Sequence, residues 1–309
     1  MEQTTKAPTT LYSFEDGKTP IYSTQMFRQE RYKKRTDICG GVFDLIRAFL
    51  SSPAAFKLAA FLCGLSMMFW VESILPSRPW QAARRVRLLF HFTLSVFNNI
   101  LLRLTVIGPL LVWQRVVNSK GWGLCPLLGL RGPWEILASL VVLDMFDYWW
   151  HRWNHRIPLL WRFHKVHHVD THVDVTTSLR FHPGELLISS GLKAVWILLV
   201  GPSIWTFAIF EASVTLASQF HHTNTDFGNR TEVLIRSVIV TPRYHAAHHT
   251  VKRRTGDNNF AAILIFWDKI FGTYRRPDYE EMKNLGLPDG RDSYLSFAST
   301  LKGPFTSEY

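Results

Sequence analysis

Residues 134–155, WEILASLVVLDMFDYWWHRWNH, run an apolar stretch straight into two histidines. Read as one helix turning about 100° per residue, Asp144 at 0° has Asp147 at about 300°, His151 at about 340° and His155 at about 20°. Two carboxylates and two imidazoles therefore share one arc of about 80°. An imidazole that binds a metal normally donates its other N–H to a carboxylate or carbonyl, so Asp144 and Asp147 are candidate partners for these histidines. Pro158 then breaks the helix. The next stretch, LWRFHKVHH at 160–168, begins a new helix that turns its own histidines back toward the first pair.

Working outward, HRWNH (151–155), HKVHH (164–168) and HAAHH (245–249) hold eight of the chain's 13 histidines. Positions i, i+3 and i+4 of a helix share a face, so His164, His167 and His168 converge, as do His245, His248 and His249. Eight imidazoles are too many for one ion. Structural zinc closes with four ligands and catalytic zinc usually takes three from the protein, so the count points to a pair of metals. Surface histidines on charged loops are the weaker reading, because the spacing recurs three times.

Apolar windows at 56–75, 86–113, 134–150, 186–200 and 203–220 alternate with basic stretches, although the apolar fraction of 47% is ordinary. That segregation marks a membrane protein, and ~20 helical residues cross a bilayer. The expected fold is an all-α integral membrane protein. About four to five membrane-embedded helices carry a cytoplasmic, histidine-rich helical domain. Residues 1–55 read as a polar and basic tail with room for an interfacial helix, 56–275 as the catalytic domain and 276–309 as a C-terminal tail. The first residues are polar and show no cleavable signal peptide.

The net charge of +11 does not call for nucleic acid, since Arg78, Arg84, Arg85, Arg87, Arg152, Arg156, Arg162 and Lys165 flank apolar runs. Positive-inside bias and anionic headgroups account for them and place both loops in the cytoplasm. The same topology puts the N-terminus outside, against the basic run at Arg28, Arg31, Lys33, Lys34 and Arg35. Three scattered cysteines, Cys39, Cys63 and Cys125, form neither a disulfide framework nor a zinc site.

Residues 185–222 read as a helical hairpin turning at Gly201 and Pro202. It returns the chain to the side it left, which brings His182 and either His221 or His222 to the level of the clusters. Lys193 and Glu211 lie at equal distances from the turn, so they are expected to pair inside the membrane, with Arg103, Asn98 and Asn99 as competing partners.

HRWNH, HKVHH and HAAHH, followed by DNNFA and WDKIFGTY, resemble the fatty acid hydroxylase and sterol desaturase superfamily over roughly residues 70–275. The resemblance implies a non-haem di-iron site that uses O2 and two electrons on lipid C–H bonds. Carried over box by box, the ligands are His151, His155, His164, His167, His168, His245, His248 and His249, completed by His182 and His222. Asn258 or Asn259 would brace the site or cap a turn, and Trp267 and Phe271 would pack the domain closed. Imidazole donors suit iron better than magnesium.

The expected function is O2-dependent hydroxylation of a fatty acyl, alkyl or sterol-like substrate that enters from the bilayer. A desaturase or sterol demethylating oxidase would use the same ligands. From a different class, a membrane zinc hydrolase would need a dedicated general base, and a metal carrier would line a transmembrane path with histidines. No stretch resembles a fused electron-transfer module. Electrons are therefore expected from a separate donor such as cytochrome b5 or a ferredoxin with its reductase, with the basic residues around Lys252, Arg253 and Arg254 as a candidate dock. The expected location is the bacterial inner membrane or the endoplasmic reticulum.

Overall fold

The structure is a computed structural model and describes residues 51–80, 84–251, 257–288 and 296–306. The basic N-terminal stretch and Lys252, Arg253 and Arg254 lie outside the described residues. Those described form helices and no strand. In chain order they are α1 (Pro53–Ile74), α2 (Arg84–Leu102), a π-helical turn (Arg103–Ile107), α3 (Gly108–Lys120) and the short α4 (Leu124–Leu127). Then come α5 (Pro133–Arg156), α6 (Pro158–His168), a 3-10 turn (Val175–Leu179), α7 (Pro183–Val200) and α8 (Ile204–His222). Short helices α9 (Asn229–Arg236), α10 (Pro242–His248), α11 (Phe266–Ile270) and α12 (Phe297–Lys302) follow.

Local chemistry sets the helix starts. Pro53, Pro133, Pro158, Pro183 and Pro242 each open a helix, where the missing N–H has no partner to lose. The Ser52, Ser203 and Thr241 side chains accept from the first-turn amides of Ala55, Thr206 and Tyr244. Between α5 and α6, Ile157 is extended ahead of Pro158, so the chain turns where the sequence predicts.

Among the described residues, three stretches are long and apolar enough to cross a membrane: Pro53–Ile74, Arg84–Leu127 and Pro183–Val200. The windows at 134–150 and 203–220 form α5 and α8, which fall outside that group and pack against it. Leu143 of α5 joins Trp196, Ile197 and Val200 of α7, Phe207 and Phe210 of α8, Val117 of α3 and Cys125 in one core. Around it, Leu62, Met67, Trp70, Leu104 and Val112 stay exposed, the pattern of a lipid-facing surface. At the end away from the histidines, two loops meet backbone to backbone. A Cβ on Gly123 would sit 2.4 Å from the Gly201 nitrogen, and Gly201 has a φ of +66°, so both positions require glycine.

Lys193 and Glu211 pair as the hairpin predicts. Lys57 of α1 joins them on the other carboxylate oxygen, while Asn98 is engaged elsewhere, donating to the Phe181 carbonyl. Asp147 lies within electrostatic reach of Lys193 and Glu211. Replacing Glu211 alone by Gln should destabilise the protein by ~3 kcal/mol or more, because it strands two ammonium groups in the membrane. Replacing Lys57, Asp147, Lys193 and Glu211 together by apolar residues should be milder. Equal losses in thermal unfolding would show that the cluster does not act as a charge-balanced unit.

After Tyr274 the chain packs back on the histidine end. Leu285 bridges to Thr250, the Gly286 amide donates to the His249 carbonyl at 2.9 Å, and Phe297 and Phe305 pack on Phe97 and Phe163.

Candidate metal centre

Two groups of imidazoles meet at the end of the bundle. His151 and His155 from α5, His164 and His168 from α6 and His248 from α10 form one, and His167, His222, His245 and His249 the other. Within each group the candidate ligand nitrogens all lie within 4.8 Å of one another. Each triplet therefore divides rather than converging on one point: the i, i+4 pair stays together, while the i+3 residue, about 100° round the helix from i+4, joins the other group. Helix α6 sends His164 and His168 to one group and His167 to the other, and the HAAHH stretch sends His248 one way and His245 and His249 the other.

Five of the remaining ring nitrogens are held by fixed acceptors. The Nδ1 atoms of His151, His248, His167 and His222 lie 2.9, 2.6, 3.2 and 2.7 Å from the carbonyl oxygens of Phe260, Asn258, Arg180 and Ser218. Nδ1 of His164 lies 2.9 Å from Glu185 Oε1. A nitrogen facing a carbonyl must donate, which leaves the lone pair on Nε2.

The Nε2 atoms of His222 and His167 are nevertheless only 3.0 Å apart. Two lone pairs cannot face each other at that distance unless a cation lies between or beside them. A proton is a poor candidate. Burial first, then neighbouring imidazoles, push His167, His168, His245 and His249 well below the ordinary histidine range, and burial takes His248 down to about 3. Nε2 of His164 and His248 and Nδ1 of His245 and His249 are buried without any partner. Neutral imidazoles whose Nε2 atoms crowd together, with those of His222, His245 and His249 3.0 and 3.1 Å from one another, have the chemistry of a metal donor set, and imidazole donors suit iron.

Nine of the ten histidines predicted from sequence are gathered here, and His182 is not. It caps α7, with Nδ1 accepting from the Gly184 amide at 2.9 Å and Nε2 3.3 Å from the Leu301 carbonyl. His222 supplies the nitrogen left open between it and His221, whose ring lies beside His245 at 4.0 Å between centroids. Asp144 does not brace an imidazole; it accepts from the Ile263 and Leu264 amides and Trp267 Nε1 at 3.0, 3.0 and 2.9 Å. Asp147 belongs to the Lys193 and Glu211 cluster. Asn258 contributes its carbonyl to His248. Asn259, at a φ of 62°, ties α10 to the stretch after α11 through the Tyr244 carbonyl and both backbone groups of Arg275. Trp267 and Phe271 pack with Tyr148 and Phe260 as expected.

Sequence reasoning missed Glu185, whose one signal was an acid in the first turn after His182 and Pro183. Also missed was Asp268, which accepts from the Phe260 and Ala261 amides and Tyr244 Oη at 2.8, 2.9 and 3.1 Å. Behind His167, Arg87 bridges Asp170 and Asp174 at 2.6 and 2.8 Å, and His91 Nδ1 lies 2.8 Å from Thr176 Oγ1. This network fixes the 170–180 segment whose Arg180 carbonyl orients His167. Truncating Glu185 to Ala should weaken metal retention ~10- to 100-fold, with Gln restoring part of it. Metal content after dialysis against a chelator measures this; unchanged retention in both variants would remove Glu185 from the site.

Two imidazole nests at the end of a helix bundle with membrane-length helices define a class of multi-histidine membrane protein whose nests could hold metal. Residues 136–273 match the family described as Fatty acid hydroxylase, so this stretch is similar to the fatty acid hydroxylase and sterol desaturase superfamily. The chain is 29% identical over 156 residues to the alkylglycerol monooxygenase of Homo sapiens, covering 50% of this chain and 34% of that protein. To the ornithine lipid hydroxylase OlsE of Rhizobium tropici it is 29% identical over 153 residues, covering 50% and 45%. It is 26% identical over 232 residues to the cholesterol 25-hydroxylase of Rattus norvegicus, covering 72% and 76%. The match thus spans less than half the length of the first two relatives. No solved structure matches the chain.

Proposed function

We propose that this protein is a membrane non-haem di-iron monooxygenase that hydroxylates a C–H bond of a lipid, whether fatty acyl, alkyl or sterol-like. The observation that carries the reading is the 3.0 Å approach of the Nε2 atoms of His167 and His222, each with its Nδ1 committed to a carbonyl. The relatives' names supply the chemistry, since they are described as monooxygenases and hydroxylases of alkylglycerol, ornithine lipid and cholesterol.

One iron would be held by His151, His155, His164, His168 and His248, and the other by His167, His222, His245 and His249. When bound, the pair supplies reduction of O2 by two electrons and two protons, one oxygen atom entering the substrate and the other leaving as water. The chain's own residues do the rest. Carbonyls of Phe260, Asn258, Arg180 and Ser218 fix the tautomers, and Glu185 orients His164. Burial of both nests excludes bulk water from the reacting carbon. The substrate reaches the site sideways from the bilayer. A separate carrier, such as cytochrome b5 or a ferredoxin with its reductase, delivers electrons from the cytoplasmic side.

The test is metal analysis of the purified, full-length protein together with reductant-dependent O2 consumption on membrane lipids. Two irons per chain, and an alcohol product formed only with reductant, are expected. Zinc alone with hydrolytic turnover would overturn the reading, and an alkene product would move it to desaturation.

A further inference from the structure

Depth in the bilayer can be read from hydrogen bonds that tie the histidine end to a membrane helix. Candidate span α1 ends level with the stretch just past the metal ligand His222: Glu72 Oε2 accepts from the Asn224 amide at 3.1 Å, and the Leu75 carbonyl from the Asp226 amide at 3.3 Å. At that level α1 is still lipid-like, with Trp70 65%, Ile74 56% and Leu75 47% exposed. The apolar belt therefore reaches the level of the imidazole nests.

The segment 260–273 lies at that level or deeper. It starts beside His151, through the Phe260 carbonyl, and runs down α5 to Asp144, which takes the Ile263 and Leu264 amides. Seven positions of helix at ~1.5 Å each carry it ~10 Å from His151 toward the bundle's middle. Leu264, Phe266, Phe271 and Trp267 pack there against Val141, Met145 and Trp149 of α5. Helix α9 is fastened to the same segment, because the Val238 carbonyl accepts from the Ile265 amide and Val240 donates to the Ile263 carbonyl.

This module turns apolar residues outward. Val233, Leu234, Val238 and Ile270 are 55, 73, 59 and 63% exposed. Val233 and Leu234 lie on α9 with Arg230, and Val238 in the turn that follows it, while Glu232 points inward to Thr241, the N-cap of the histidine helix α10. Exposed apolar residues at this depth, on two short stretches tied together by the Val238–Ile265 and Val240–Ile263 backbone bonds and accompanied by Arg230 and Lys269, have the composition of an interfacial membrane element.

We propose that the face formed by Val233, Leu234, Val238 and Ile270 lies among the acyl chains of one leaflet, making α9 and α11 a membrane-embedded anchor for α10. Part of the histidine domain is then not a cap above the bilayer but an element sunk into it beside α5. The anchor holds α10 through Thr241 and Glu232, so the ligands His245, His248 and His249 are set at lipid depth.

Full-length protein in phosphatidylcholine vesicles tests this, using Leu234→Cys, Ile270→Cys and Lys283→Cys in a Cys39, Cys63 and Cys125 to Ala background, each labelled with bimane. Lys283 is the aqueous reference, its side chain being 66% exposed. Labels at 234 and 270 should be quenched by doxyl-labelled phospholipid and shielded from iodide several-fold more than the label at 283. Iodide quenching equal to that at 283 would overturn the proposal. So would shielding from both quenchers, which would mark a contact with a second copy of the chain. Lipid-phase diazirine labelling of the unmodified protein, mapped by mass spectrometry, gives the same reading without variants; absence of label from peptides spanning 229–240 and 266–271 would count equally against it.

Discussion

Replacing His249 by alanine is expected to lower bound iron from about two per chain toward one and to cut lipid oxidation at least ~100-fold. His249 is one of four nitrogens in its nest, with Nε2 3.1 Å from that of His245. The comparison variant is His182→Ala. That residue lies outside both nests and caps α7, so its loss should cost about 1 kcal/mol of stability and leave iron content intact. Elemental analysis and O2 consumption on both variants check the assignment. Full iron in His249→Ala, or iron loss in a folded His182→Ala, would reverse it.

The second large effect is expected at Asp144. Its side chain is fully buried and is the shared acceptor for two backbone amides and the Trp267 indole. Replacing it by alanine strands the buried Trp267 indole and two partly buried amides, and the loss should reach ~3–5 kcal/mol. Asn keeps one acceptor oxygen and should lose less. Thermal unfolding of the detergent-solubilised protein would resolve the series. A loss under ~1 kcal/mol in Asp144→Ala would mean that the 260–273 segment is held to α5 by apolar packing alone.

The sequence announces the nests because their rule is local. Three residues of a five-residue helical stretch lie on one side of it whatever surrounds them, so HKVHH and HAAHH declare that their histidines gather at one end of the bundle, but not that each triplet divides between two nests. The break at Pro158 and the pairing of Lys193 with Glu211 are legible for a similar reason: one is a property of the residue, the other of two equal arms about a turn. His182 misleads because its lone pair is used by an amide only two residues on, a capping choice that composition does not display. Asp144 misleads for the opposite reason. Its partners lie 119 to 123 residues away, and a helical projection that places it beside His151 and His155 has no information about what approaches from outside. Glu185 reaches His164 across 21 residues and two helices. Side chains that act within one helix can be read in advance, and those that act between elements need the fold.

Helix α6 and the HAAHH stretch each serve both nests. If each nest holds an ion, the first to arrive would immobilise rungs that also carry the second's candidate ligands: His164 and His168 cannot be fixed without placing His167, nor His248 without placing His245 and His249. Ordering that would be spent twice in separate sites is spent once here. Metal uptake by the apoprotein should accordingly be cooperative, with chains at intermediate loading scarce when iron is limiting. In a cell, scarcity would then reduce the number of working molecules rather than leave a population of half-assembled ones able to reduce oxygen without a product.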